Sequence, residues 1–325
     1  MQSYSLIAAA KINLYLEIIG ERPDGYHELA MVLQSIDLAD YINLRANGTE
    51  QFRIYCQHPQ VPLDKTNLAY RAAELMASAF PDVFAKYGGV DITIHKNTPV
   101  AAGLAGGSSN AAAVLVGLDL IWKLGLTQSE LQELGKQLGS DVPFCITGGT
   151  ALATGRGEQL SPLPDLDNFY VVLAKYRSLA VSTAWAYQTF RQQFGASYVR
   201  DAQKLLERQQ RVHSGLMVNA IAHRDGAKIG QLLYNDLEKV VFPAYPQVAD
   251  LRATFYQLGA KSNGNFLGAM MSGSGPTVFA LTASEASARY LAEEIKAAKA
   301  GTDLEVWVAR FLPTGIQIAP TLPKN

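Results

Sequence analysis

From residue 11 to residue 18 apolar and polar positions alternate without a break, with Ile12, Leu14, Leu16 and Ile18 on one side and Lys11, Asn13, Tyr15 and Glu17 on the other. A side-chain period of two predicts a half-buried strand that carries Lys11 and Asn13 on one polar face. Turn chemistry at Asp24-Gly25 follows, then strand patterns around Ile36, at Ile42–Leu44 and, beyond the Asn47-Gly48 turn, at Phe52-Ile54-Cys56. Leu68, Ala72, Leu75, Met76 and Ala79 recur at helical spacing, and Val90, Ile92 and Ile94 alternate as another strand. An Ala- and Leu-rich helix is predicted over 108–123. Thr127-Gln-Ser-Glu130 is a capping box that opens a second helix ending near Gly139, and Asp141 follows in a link to an extended segment.

Glycine pairs at 148–149 and 155–157, then Pro162-Leu-Pro164, punctuate the chain and suggest a boundary near residue 163. Beyond it, Phe169–Leu173 reads as a strand and residues 182–260 as mostly helical. Met270-Met271 and Val278–Leu281 flank a Gly-Ser turn, and a helix and the strand Leu304–Val308 close the pattern. The expected class is α+β in two domains, 1–163 and 164–325, a division that the length of 325 residues also favours.

Composition narrows the function classes. Apolar residues make up 48% of the chain and charged residues 18%, enough apolar surface to fold without a partner. Twenty-eight basic residues against 29 acidic ones leave a net charge of −1, which supplies no field to hold a nucleic-acid backbone. Cys56 and Cys145 are the only cysteines, too few for a disulfide framework, and a cytoplasmic setting is expected. No basic region precedes the apolar start, which Lys11 and Asn13 interrupt, so no export signal is read there. The longest apolar run, Ala111–Trp122, falls short of the roughly 20 residues a bilayer requires. A small molecule is the expected partner, rather than nucleic acid or membrane.

The most informative stretch is Pro99-Val100-Ala101-Ala102-Gly103-Leu104-Ala105-Gly106-Gly107-Ser108-Ser109, a strand exit turning through three glycines into a helix. Glycines let backbone N–H groups approach phosphate oxygens, the helix N-terminus adds partial positive charge, and serine hydroxyls can reach phosphate or a metal ion. It is not a Walker loop, and the Rossmann fingerprint and protein-kinase motifs are absent. The plain alternative is a glycine-rich turn with Ser108 as helix N-cap. Asp141 alone reads as a solvated turn residue and Lys11 as a solvated strand lysine. As a pair they can take a proton from an alcohol and stabilise charge in phosphoryl transfer. Ser272-Gly273-Ser274-Gly275-Pro276 is either a tight hairpin or a second glycine loop facing phosphates. His27, His58, His95, His213 and His223 have no ligand spacing, so the sequence supports no structural metal site.

Pro99 to Asn110, with Ala111-Ala112-Ala113 after it, resembles the ATP-binding loop of the GHMP small-molecule kinases. Ala10-Lys11-Ile12-Asn13, Gly20 to Leu29, Gln34 to Leu38 and Gly139 to Phe144 resemble the branch whose acceptor is 4-diphosphocytidyl-2-C-methyl-D-erythritol. The likeness covers residues 7 to about 187 and 268 to 313, and leaves 190–235 without an anchor. It implies the two-domain GHMP fold with the active site in the interdomain cleft, ATP and Mg²⁺ as cofactors, and phosphorylation of the acceptor's 2-hydroxyl in the non-mevalonate isoprenoid route. It further implies that Asp141 is the base, that Lys11 orients it, and that Asn13 holds the substrate. Tyr26 and His27 would recognise the cytidine, with Thr183 and Tyr187 as further substrate contacts and Trp185 as a rival for the second stacking ring. Ala105 stands where many relatives carry glycine, which requires a negative φ there. Other acceptors of the family, homoserine or a mevalonate-type alcohol, and a catalytically silent nucleotide-binding protein of the same fold are the alternative readings.

Overall fold

A computed structural model describes residues 2–199, 201, 203–204, 207–208, 215–262 and 264–319. Part of the unanchored 190–235 segment therefore lies outside the described residues, as does His213.

The predicted strand at 11–18 is the middle of β1 (Ser3–Glu21), antiparallel to β2 (His27–Ala46). The sequence splits β2 into separate patterns around residue 36 because the ladder slips there: Ala9 pairs with Ala39, but Ala10 pairs with Ile36. Two residues bulge out, the two-residue period is lost, and Asp37 is freed to accept the backbone N–H of Arg310 at 2.9 Å. A further slip between Asn13 and Tyr15 means that register changes bracket Lys11 and Asn13 on both sides. Bulges of this kind re-aim side chains beside functional sites.

Around this pair runs an eight-stranded sheet ordered β12-β1-β2-β4-β3, where β3 is Arg53–Cys56, β4 Val90–His95 and β12 Gln317–Ile318. β5 (Thr150–Gly155) pairs with β2 and with β6 (Gln159–Pro162), and β8 (Tyr234-Asn235) pairs with β1. A second, four-stranded sheet has the order β11-β7-β10-β9, with β7 Tyr170–Tyr176, β9 Phe266–Met271, β10 Val278–Thr282 and β11 Leu304–Arg310. β8 and β12 come from the second half of the chain yet complete the first sheet, so the halves are laced together. Shared cores reinforce the lacing: Leu16, Met31 and Leu33 pack with Val172, Met271 and Val278, while Ile12, Leu14 and Leu104 pack with Leu173, Met270 and Phe279.

This packing changes the reading of β1. The slip after Asn13 divides the apolar side expected from the alternation, sending Ile12 and Leu14 into one core and Leu16 and Ile18 into another, and Lys11 is buried and Asn13 fully so. Helix α3 (Gly106–Trp122) lies against the outer face of the first sheet with Ala111–Leu115 fully buried, and helix α1 (Leu68–Ala79) packs on α3 in the same core. α3 opens two residues earlier than the sequence suggests, with Ala105 as N-cap, so Ser108 lies inside the first turn. After α2 (Pro81–Tyr87), α3 and α4 (Gln128–Lys136), which opens on the predicted capping box, comes an unpredicted helix, α5 (Val142–Thr147). Its five residues from Val142 to Ile146 are all buried, and a five-residue apolar run carries no period by which to tell helix from strand. Among the described residues no helix is long and apolar enough to cross a membrane.

Candidate active site

The halves enclose a cavity of about 940 Å³. Its walls take Lys11 and Asn13 from β1, the loop from Pro99 to Ser108, Asp141 from the α4–α5 link, and Tyr26 and His27 from the β1–β2 turn. The second half adds Thr183 and Tyr187 from α6 (Thr183–Phe194), and Gly273 and Ser274 from the β9–β10 hairpin. Residues scattered through the sequence thus meet in one place. Ser109 is the exception: its hydroxyl is fully buried and donates to the carbonyl of Ala9 at 2.7 Å, away from the cavity.

The loop is built as a backbone cradle. Ala101, Gly103 and Ala105 have φ of +50°, +74° and +56°, an alternation of left-handed residues that turns successive N–H groups toward a common hollow. The expectation of a negative φ at Ala105 is therefore incorrect, because the chain reaches the helix through a left-handed N-cap. An L-residue held there costs about 1 kcal/mol or more, and surrounding contacts must hold it in place. Those contacts are visible: the N–H of Lys11 donates to Leu104 O at 3.1 Å, and the Ser272 hydroxyl donates to Gly103 O at 3.1 Å. A Cβ on Gly103 would lie 2.1 Å from Ser272 O, so only glycine lets the two loops touch. The first intrahelical bond of α3 is Ser109 N–H to Ala105 O, which leaves the N–H groups of Gly106, Gly107 and Ser108 as the helix's unpaired donors.

Below the loop lies a feature with no local sequence signal. The fully buried Asp40 carboxylate accepts the N–H groups of Asn97 and Thr98 at 2.8 Å each, the Thr98 hydroxyl at 2.9 Å, and the Lys96 ammonium. It sets the strand exit into the loop. Lys96 also lines the cavity.

At the centre, Lys11 Nζ donates to Asn13 Oδ1 at 2.8 Å and stands 3.7 Å from Asp141 Oδ1. The Asn13 amide is oriented in turn by Met31 Sδ at 3.5 Å. The Thr183 and Ser274 hydroxyls lie 2.8 Å apart, and Asn235 pins the hairpin by donating to Met271 O and Gly273 O, both at 2.8 Å.

The far end is aromatic. His27 and Tyr187 rings lie 5.2 Å apart at 34°, and His27 Nε2 is 2.9 Å from the Tyr198 hydroxyl. Burial first, then the Arg191 guanidinium, pull the His27 pKa down to about 4, and Glu21 opposes them only in part. The ring is neutral at ordinary pH. Burial, with the Asp141 charge, pushes the Tyr187 phenol well up, so it stays protonated. Tyr26 is half exposed, and the Arg156 guanidinium lies 4.8 Å over its ring. Trp185 is absent from the cavity wall and packs edge-on against Tyr245 at 5.5 Å. Arg156, Gln188 and Arg191 line this end and were missed in the sequence. Arg156 had a usable signal, a cation between Gly155 and Gly157 in a turn.

Among the described residues no group of three or more His, Cys, Asp or Glu is placed to hold a metal ion. Among the described residues Asp141 is the one carboxylate in the cavity wall, and Ser108 contributes a hydroxyl at the start of α3.

Known proteins resemble this chain in sequence and in fold. Residues 67–149 match the GHMP kinases N terminal domain and residues 217–300 the GHMP kinases C terminal. The 4-diphosphocytidyl-2-C-methyl-D-erythritol kinase of Nostoc punctiforme is 64% identical over 99% of this chain and 100% of its own. A crystal structure of 4-(cytidine 5'-diphospho)-2C-methyl-D-erythritol kinase, 30% identical, superposes with a TM-score of 0.69 over 94% of this chain and 99% of that one. A homoserine kinase from Cytophaga hutchinsonii, 18% identical, shares the fold with a TM-score of 0.75 over 98% of each chain.

Proposed function

The chain belongs to the GHMP kinases, and from that premise we propose that it transfers the γ-phosphoryl group of ATP to the 2-hydroxyl of 4-diphosphocytidyl-2-C-methyl-D-erythritol. The products are the 2-phosphate and ADP. The relatives at high identity over their full length favour this acceptor over homoserine or a mevalonate-type alcohol, since the homoserine kinase likeness concerns the fold alone. Retention of the whole Lys11–Asp141 arrangement argues against a silent nucleotide-binding protein.

The observation that carries the reading is that one cavity holds an anion cradle, a lysine–carboxylate pair and an aromatic end. The N–H groups of Gly106, Gly107 and Ser108 bind the nucleotide's phosphates. Asp141 accepts the proton of the attacking hydroxyl as its oxygen bonds to phosphorus. Lys11 orients that carboxylate and offsets charge on the phosphoryl group in flight, while Asn13 fixes the ammonium and holds the acceptor. Thr183 and Ser274 close over the acceptor from the second half. His27, neutral, hydrogen-bonds the cytosine, and Tyr187 and Tyr26 supply ring faces for it. Magnesium, when bound with ATP, spreads the charge of the transferred group. The donors that suit it are nucleotide oxygens and the Ser108 hydroxyl at the start of α3, hard oxygen ligands of the kind Mg²⁺ prefers, which leaves Asp141 free to act as the base.

The direct test is phosphate transfer from radiolabelled ATP to a panel of the cytidyl erythritol, 2-C-methylerythritol 4-phosphate, homoserine and mevalonate. Turnover of the first alone is expected. Equal turnover of the 4-phosphate, which lacks cytidine, would remove the base-binding role of the aromatic end.

A further inference from the structure

The acceptor joins its cytosine to its reacting hydroxyl through a diphosphate, so an anion must cross the space between the aromatic end and Asp141. The glycine cradle serves the nucleotide, not this bridge. Among the described residues Arg156 and Arg191 line the aromatic end and Arg22 lies in the turn beside Tyr26, and the latter two are each tied to a carboxylate. Arg191 donates to Gly25 O and pairs with Glu21 at 3.3 Å. Arg22 pairs with Glu28 at 2.7 Å and with Asp24 at 3.3 Å. Arg156 is held more loosely: its Nε is 4.0 Å from Glu158 Oε2, an oxygen that already accepts the Arg156 backbone N–H at 2.6 Å.

Its placement fits the gap. On one side the guanidinium lies 4.8 Å over the Tyr26 ring. On the other, the turn that carries it packs beside the catalytic centre. A methyl placed on Gly157 would lie 3.7 Å from Cβ of Ser140, the residue before Asp141, and 2.5 Å from Cε of Met31, whose sulfur orients Asn13. The Arg156 side chain is 29% exposed and lines the cavity. A planar, always-charged fork on a short rigid turn is suited to a phosphoanhydride, which it can meet with two parallel N–H donors.

We propose that Arg156 is a specificity residue that reads the diphosphate bridge of the acceptor. The assignment rests on the acceptor reading above, and it extends that reading from the base to the anion.

The test compares cytidine and cytidine diphosphate as inhibitors competing with the acceptor at saturating ATP, so that neither reads out the nucleotide site. In the unaltered enzyme the diphosphate should bind about ten- to a hundredfold more tightly than the nucleoside, the scale of hydrogen bonds to a charged group. Arg156→Leu should bring the two to within about threefold, with the inhibition constant of cytidine itself unchanged; Arg156→Lys should keep part of the difference. Thermal unfolding reports whether each variant is folded, and Arg156→Gln replaces the leucine variant if that one is not.

Two results overturn the proposal. One is equal binding of cytidine and its diphosphate by the unaltered enzyme. The other is an equal weakening of both in Arg156→Leu, which would mean that Arg156 acts only by holding the Tyr26 ring. If cytidine fails to compete while the diphosphate competes and depends on Arg156, the base-binding assignment falls and the role of Arg156 stands.

Discussion

The Lys11 ammonium, almost fully buried, stands 3.7 Å from an Asp141 carboxylate that keeps a third of its side chain open to the cavity. The cation is anchored from behind by Asn13, so the pair is asymmetric: one partner is fixed and the other faces the place where an alcohol would sit.

Replacing Asp141 by Asn keeps the shape and removes the proton acceptor. The kcat should fall by about 10²-fold or more while the KM values for ATP and acceptor change little, as expected when an interaction is lost only in the transition state. Steady-state kinetics on folded protein decide it, and a near-normal kcat would end the general-base assignment.

Gly107 offers a cleaner probe of the cradle. A Cβ there would meet nothing nearer than Leu68 Cδ1 at 3.9 Å, so the protein itself has room for the first atom of a side chain on this turn. Gly107→Val should fold normally and raise the KM for ATP by roughly tenfold or more, the scale of one charge-assisted hydrogen bond lost. The KM for the acceptor should hold. An unchanged KM for ATP would take this loop out of the nucleotide site.

Ala105 tests the strain in the same loop. At φ +56° its Cβ is a liability of about 1–2 kcal/mol, against which glycine's extra chain freedom costs roughly 0.5–1 kcal/mol. Ala105→Gly should therefore stabilise the protein by up to about 1 kcal/mol with ATP kinetics near normal. Ala105→Val should destabilise it and weaken ATP binding. Urea unfolding of the pair checks the sign, and a destabilised glycine variant would show that the left-handed N-cap is not strained.

Much of this was legible before the fold. Alternation along 11–18 placed Lys11 and Asn13 on one face, and Thr127 and Glu130 announced their helix, because strand period and capping chemistry are local. What was illegible depends on distant chain. The slip that divides the face of β1 and the approach of Asp141 to Lys11 need distant chain, the short helix at 142–147 has no period, and the positive φ of Ala105 is held by Lys11 and Ser272 contacts that no window contains. The Asp40–Lys96 pair joins positions 56 residues apart. Motif resemblance pointed to the Lys11–Asp141 pair and to the glycine loop, but it was silent on Arg156 and Arg191 because neither lies in a motif that the resemblance matched.

His27 ties the aromatic end to pH. Burial and the nearby Arg191 lower its pKa to about 4, against 6.5 for an ordinary histidine. Between those values the unfolded chain takes up a proton that the folded protein refuses. The stabilising contribution of the neutral ring is therefore complete above about pH 6.5 and is lost as pH falls toward 4, by at most about tenfold in the folding equilibrium per pH unit. His27→Gln keeps a neutral polar group opposite the Tyr198 hydroxyl and cannot titrate. Its urea midpoint should fall less than that of the unaltered protein between pH 7 and pH 5. Because the ring is already neutral there, kcat/KM for the acceptor should show no inflection near 6.5 that disappears in the variant. Parallel midpoint curves for the two proteins would show that some other group carries the acid sensitivity, and an inflection at 6.5 abolished by the substitution would mean that His27 titrates as an exposed histidine.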